Sequence, residues 1–99
     1  MQFSSFQWDA GNWPKCGAHG LTKQEIEAVF HAGPGIAPDL KHSASEIRQI
    51  AVGRASNGRP VFIAFVLRRI DRMILVRPVS ARYMHAKEAK RYETQSSNS

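Results

Sequence analysis

Ninety-nine residues with a formal charge of +6, from 14 basic and 8 acidic side chains, suit one domain and leave no room for a second core or a separate cofactor domain. Such a chain buries about 65% of the surface its unfolded form exposes, enough for a two-layer core, so a two-domain oxidoreductase or kinase is excluded. A single cysteine, Cys16, excludes an internal disulfide framework and points to a reducing, intracellular setting. Residues 1–9 lack the basic flank and long apolar stretch of a signal peptide. The longest apolar run, residues 61–67, is far short of the ~20 residues of a spanning helix, so a soluble cytoplasmic protein with no membrane attachment is expected.

Taken in chain order, residues 3–8 carry Phe3, Phe6 and Trp8 and predict an edge strand that runs into an Asp9-Ala10-Gly11-Asn12 turn. Pro14, Gly17 and Gly20 break up the next stretch, so residues 13–19 form at most a short helical piece ended by Gly20. Residues 21–31 read as a helix: Thr22 and Glu25 form a capping box, Leu21 can staple against Ile26, and Ile26, Val29 and Phe30 share a face. It ends near His31, before Ala32-Gly33-Pro34-Gly35. Residues 36–45 are polar and proline-containing, a loop with a short edge strand near Ile36.

From Glu46 the pattern becomes sheet-like, with a strand over 47–54, a Ser56-Asn57-Gly58 turn and a strand over 59–68. The centre of that second strand is apolar on both faces, so it must be covered on both sides or sit deep in a curled sheet. A turn near Ile70-Asp71 leads to a strand over 73–79, completing an antiparallel meander that Pro78 ends. Residues 85–93 form a basic helix with Ala86, Ala89 and Tyr92 at helical spacing, and residues 94–99 are a polar tail read as disordered. The fold class is α+β: two N-terminal helices and a basic C-terminal helix packed on a curled antiparallel sheet, one domain over 1–93 with the tail at 94–99.

The charge is unevenly placed. Residues 1–46 hold three lysines against five carboxylates, a net of −2, whereas residues 47–93 hold nine arginines and two lysines against three carboxylates, a net of +8. Arginine is planar, always charged and grips phosphate oxygens in pairs, so a polyanionic partner is favoured over a merely solvated basic face. Cys16 and His19 have the spacing of half a zinc site, but a structural zinc needs four ligands and no second pair follows, so no metal is expected. Cys16 is a structural thiol rather than a nucleophile, since nothing designates an orienting third group. Gly33-Pro34-Gly35 lacks the preceding strand and the lysine of a phosphate-cradling loop, and no nucleotide cofactor is expected.

The remaining histidines, lysines and arginines suit RNA cleavage by attack of a 2′-hydroxyl on the neighbouring phosphate. That reaction needs a base, positive charge on the phosphorane and an acid for the departing 5′-oxygen. Lys15 and His19 lie in an early loop, Arg54 ends one strand, Arg77 lies in the last, and Arg82-Tyr83-Met84-His85 begins the final helix. Tyr83 can stack on a base or pack in the core. Arg54 and Arg77 have a bland reading too, as strand-end arginines paired with Asp39 or Glu46.

Five short stretches together resemble the BrnT toxin family: Phe6-Gln7-Trp8-Asp9, Gly11-Asn12-Trp13-Pro14-Lys15-Cys16-Gly17-Ala18-His19-Gly20-Leu21, Asp39-Leu40-Lys41-His42-Ser43, Ile50-Ala51-Val52-Gly53-Arg54, and Arg77-Pro78-Val79-Ser80-Ala81-Arg82-Tyr83-Met84-His85. The resemblance implies a RelE-like ribonuclease fold and the toxin role in a type II toxin–antitoxin pair that inhibits translation by metal-independent RNA cleavage. It also implies a BrnA antitoxin, through which the complex binds operator DNA. It puts proton transfer on His19, phosphate binding and charge stabilisation on Arg54 and Arg82, and the substrate rim on Lys15, Arg77, Tyr83 and His85. The family pattern has Lys-His-Gly where this chain has Ala18-His19-Gly20, and we read the missing lysine as a deliberate removal that attenuates the toxin. Two rival readings keep the same cations: a non-catalytic nucleic-acid-binding module, and a basic subunit that docks an acidic protein.

Overall fold

The computed structural model describes residues 1–42 and 46–97. Residues 43–45 of the expected loop and 98–99 of the expected tail lie outside the described residues. In chain order the elements are β1 (Ser5–Phe6), a 3₁₀ turn (Lys15–Gly17), α1 (Lys23–His31), β2 (Gly35–Pro38), β3 (Arg48–Arg54), β4 (Pro60–Ile70), β5 (Met73–Tyr83) and α2 (Ala86–Ser97). The strands form one five-stranded sheet in the order β1-β5-β4-β3-β2.

α1 forms where the capping chemistry places it. Thr22 Oγ1 accepts from the Glu25 amide at 3.1 Å, and Glu25 Oε1 accepts from the Thr22 amide at 3.0 Å. Leu21 before the cap and Ile26 after it are both buried in the same core cluster, and Ile26, Val29 and Phe30 turn into the core. The β3–β4 hairpin closes through Asn57-Gly58, with Gly58 at φ +83°, a left-handed conformation that suits glycine.

β4 is the central strand, antiparallel to β3 and to β5. Val61, Ile63 and Phe65 pack with α1 in the main core, and the Phe30 and Phe65 rings meet edge to face at 5.0 Å. The alternate residues Phe62, Ala64, Val66 and Arg68 face the other way. α2 lies on that second face, where Tyr92 approaches Phe62 with ring centroids 6.4 Å apart. Both sides of β4 are therefore covered, the first of the two arrangements its apolar centre allows.

Several expectations need correction. The sheet is mixed, because β1 pairs parallel to β5, Ser5 opposite Leu75 and Phe6 opposite Val76. Periodicity identifies a strand but does not set its direction; here the rings of Phe3 and Phe6 pack edge-on against Phe30. The second N-terminal helix is not formed: among the described residues the segment before α1 holds one 3₁₀ turn. Pro14 has no amide proton to give, so the ladder is interrupted: Trp13 and Cys16 donate to the carbonyls of Asp9 and Asn12 four residues back, and Gly17, Ala18 and Gly20 close tighter turns on Pro14, Lys15 and Gly17, leaving isolated turns instead of a continuous helix. Finally, Pro78 does not end β5, which pairs on to Tyr83, so Arg82 and Tyr83, expected to begin the final helix, are strand residues and that helix starts at Ala86.

That continuation depends on a bulge. Ala64 pairs with Ser80 and Phe65 with Pro78, which leaves Val79 as an extra residue on β5. A proline that cannot donate to the ladder is accommodated at such a break. Beyond β5, α2 continues through residues 94–97, which were expected to belong to the tail.

Candidate nucleic-acid interface

Strand alternation decides which cations share a surface. On β3, Arg48 and Arg54 have the same parity, and Arg48 pairs with Val66 on β4, which pairs in turn with Arg77 on β5. Phe62 of the same β4 face pairs with Arg82, and Arg68 follows Val66 by two residues. Arg77 and Arg82 are five residues apart and in a regular strand would point to opposite sides. The extra residue Val79 restores the phase, so Arg48, Arg54, Arg68, Arg77 and Arg82 all emerge from the face opposite α1.

The face has two parts. Toward the β4–β5 hairpin, Arg68 and Arg77 converge on Gln7, each with Nη1 3.4 Å from its Oε1. Arg77, with only 13% of its side chain exposed, grips Asp9 with both Nη atoms, at 2.8 and 3.0 Å. Arg68 grips Glu46 through Nη2 at 2.9 Å and Nε at 3.2 Å, and Arg48 Nε lies 3.5 Å from Asp39. Under α2, Arg82 grips Glu88 at 2.8 and 3.0 Å while its guanidinium covers the Phe62 ring at 4.4 Å. Arg54 reaches Glu93 at 2.6 Å and the Gly58 carbonyl at 2.8 Å.

All five arginines are thus turned to carboxylates, three of them with two donors on two oxygens, the geometry that also fits a phosphate. These guanidinium groups hold the carboxyls of Asp9, Glu46 and Glu88 below their ordinary range: Arg77 does so at Asp9, Arg68 at Glu46 and Arg82 at Glu88. The pairs of Arg54, Arg68 and Arg82 are well exposed and as such add little to folding, whereas Arg77 and the Asp39 partner of Arg48 are mostly buried.

The loop of residues 9–20 is fastened to the same place. Asn12 is 2% exposed and its amide donates to the carbonyls of Gln7 and Pro78, both at 2.9 Å, while its Oδ1 accepts from the Asp9 amide at 2.9 Å. A side chain at Gly11 would bring a Cβ to 2.7 Å from Arg77 Nη2, so glycine there lets the loop close over that arginine. Asn12→Ala leaves buried backbone carbonyls short of donors, and we expect a loss of about 2–4 kcal/mol in unfolding free energy, measurable by urea denaturation.

Lys15 and His19 hang from this loop, both exposed and neither hydrogen-bonded to a described side chain. Cys16 between them is buried in the core, where burial pushes its thiol up. Among the described residues no group of three His, Cys, Asp or Glu side chains is placed to hold a metal.

Of the residues singled out from sequence, the structure brings Arg54, Arg77 and Arg82 onto one face. His85 is exposed at the start of α2, near enough to Glu88 to help lower its carboxyl. Tyr83 lies on the α1 side, and one face of its ring is covered by the Arg59 guanidinium at 3.7 Å. The bland pairing of Arg54 and Arg77 with Asp39 or Glu46 is replaced by pairing with Glu93 and Asp9. Arg48 and Arg68 were missed. The parity of β3 and β4 would have found them; position along the chain alone did not.

Among the described residues no helix is long and apolar enough to cross a membrane. Residues 8–88 match the family model described as the ribonuclease toxin, BrnT, of type II toxin-antitoxin systems. No curated protein matches the chain.

Proposed function

The chain belongs to the BrnT family of type II toxin-antitoxin ribonuclease toxins, and from that premise we propose that it is a metal-independent endoribonuclease on a RelE-like scaffold, with the arginine face as its RNA-binding surface. The observation that carries this reading is the convergence of five arginines on one side of the sheet through the Val79 bulge. His19 transfers the proton of the attacking 2′-hydroxyl, while Arg54 and Arg82 bind phosphate and stabilise the charge that develops on it. Lys15, Arg77, Tyr83 and His85 form the rim, to which Arg48 and Arg68 are added here. The product is a 2′,3′-cyclic phosphate and a free 5′-hydroxyl. The partner is a BrnA-type antitoxin, and the complex binds operator DNA through the antitoxin.

Ala18 precedes His19 where the family pattern has lysine, and the chain is an attenuated form. The loss of one cation beside the proton-transfer group costs roughly 10²-fold in rate or more. Ala18→Lys is expected to restore growth arrest in cells lacking the antitoxin and to cut RNA in excess chelator. Both product ends should be read: a cyclic phosphate supports 2′-hydroxyl attack, whereas a requirement for divalent ions, or a harmless revertant that cuts nothing, overturns the mechanism. Steep salt dependence of binding with no cleavage in that form would favour the non-catalytic nucleic-acid-binding module instead.

A further inference from the structure

α2 brings two carboxylates to the two arginines assigned above to the transferring phosphate. Glu88 takes both Nη atoms of Arg82, and Glu93 takes Nη2 of Arg54 at 2.6 Å. Both glutamates come from the same helix, five residues apart. Tyr92 and Ala89 fix that helix on the sheet between them, Ala89 at 5% exposure and Tyr92 against the Phe62 ring. The grip on Arg82 is a planar fork closed on two oxygens, so a phosphate can take that place only when the glutamate leaves it. The glutamate pairs are also easily opened: the side chains of Arg54 and Glu93 are 54% and 60% exposed, and those of Arg82 and Glu88 40% and 30%. Close fit, common origin in one helix and ready exchange are the properties of a latch.

We propose that α2 is a carboxylate latch on the RNA site, in which Glu88 and Glu93 hold Arg82 and Arg54 until RNA phosphates displace them. This rests on the reading of the arginine face as the RNA-binding surface. Binding and latching compete for the same donors, so the latch lowers affinity for every RNA alike and favours substrates that supply two phosphates at the spacing of Arg54 and Arg82. The sheet beneath need not change, because both arginines are carried by strands.

The test uses a short single-stranded RNA with 2′-O-methyl riboses, which cannot be cleaved by 2′-hydroxyl attack. Glu88→Gln with Glu93→Gln should bind it about tenfold or more tightly than the charge-matched pair Asp71→Asn with Glu27→Gln, whose carboxylates lie away from these two arginines. Equal affinity of the two double variants overturns the latch. In the unaltered chain, the carboxylate carbon resonances of Glu88 and Glu93 should move toward those of solvated glutamate as RNA saturates the protein; resonances that stay in place overturn it even if a variant fails to fold. Arg82→Ala separates the two ideas. If it weakens RNA binding while the glutamate changes do nothing, the latch alone fails; if it leaves RNA binding intact, the RNA-face reading fails and the latch with it.

Discussion

Arg82→Ala is expected to cut RNA cleavage by the Ala18→Lys form by about 10²-fold or more, with little loss of stability. The guanidinium is aimed by two contacts, the Phe62 ring beneath it and the Glu88 fork in front of it, so its donors are already oriented. Its side chain is 40% exposed and its carboxylate partner 30% exposed, so truncation leaves no deeply buried charge, and about 1 kcal/mol or less should be lost on unfolding. Arg82→Lys should recover only a small part of the rate, because one ammonium cannot reproduce two parallel donors. Single-turnover cleavage and urea denaturation on the same samples separate the two effects. A variant as active as its parent would remove Arg82 from the site.

Phe65→Ala should do the reverse, with a loss of about 3–5 kcal/mol in unfolding free energy. Phe65 is fully buried on the central strand, touches Phe30 of α1 edge to face, and stands opposite Pro78 at the bulge. Its removal opens a cavity between sheet and helix and loosens the register break that keeps Arg77 and Arg82 in phase. Chemical denaturation gives the first effect directly, and a cost below about 1 kcal/mol would mean that the core is not organised around this ring.

How far the sequence reaches can be read from the same particulars. The α1 start was legible because the Thr22 and Glu25 exchange is local, and so was the Asn57-Gly58 hairpin. The burial of β4 on both faces was legible from its unbroken apolar run, whereas what covers each face was not. The parallel pairing of β1 was not, since strand direction is settled by which edge is free and by where the Phe3 and Phe6 rings find room beside Phe30. Pro78 was misread for a related reason. A proline in a strand pattern signals the loss of one donor, and whether the chain ends there or bulges depends on what lies beyond it, here Ala81 packing into the core.

At the candidate site, three of the seven residues chosen for catalysis and binding, Arg54, Arg77 and Arg82, gather on the arginine face, but the bland pairing of Arg54 and Arg77 with Asp39 or Glu46 named the wrong carboxylates. Asp9 and Glu93 are 68 and 39 residues distant in sequence from the arginines they hold, so no local signal links them. Arg48 and Arg68 went unnoticed because their membership depends on the register across three strands. Tyr83 shows the converse: next to Arg82 in sequence, it lies on the opposite side of the same strand.

The central claim is that phosphates of RNA contact the face defined by Arg77 and Arg82. It is tested most directly by the salt dependence of binding to a 2′-O-methyl RNA. For the unaltered chain and for Arg77→Ala, Arg82→Ala and Arg72→Ala, the slope of log affinity against log salt counts the phosphates neutralised. Arg72 lies in the β4–β5 turn, outside that face. The account predicts a slope shallower by about 0.7 for each of Arg77→Ala and Arg82→Ala and an unchanged slope for Arg72→Ala. Unchanged slopes for the first two, with a shallower one for the third, would contradict it.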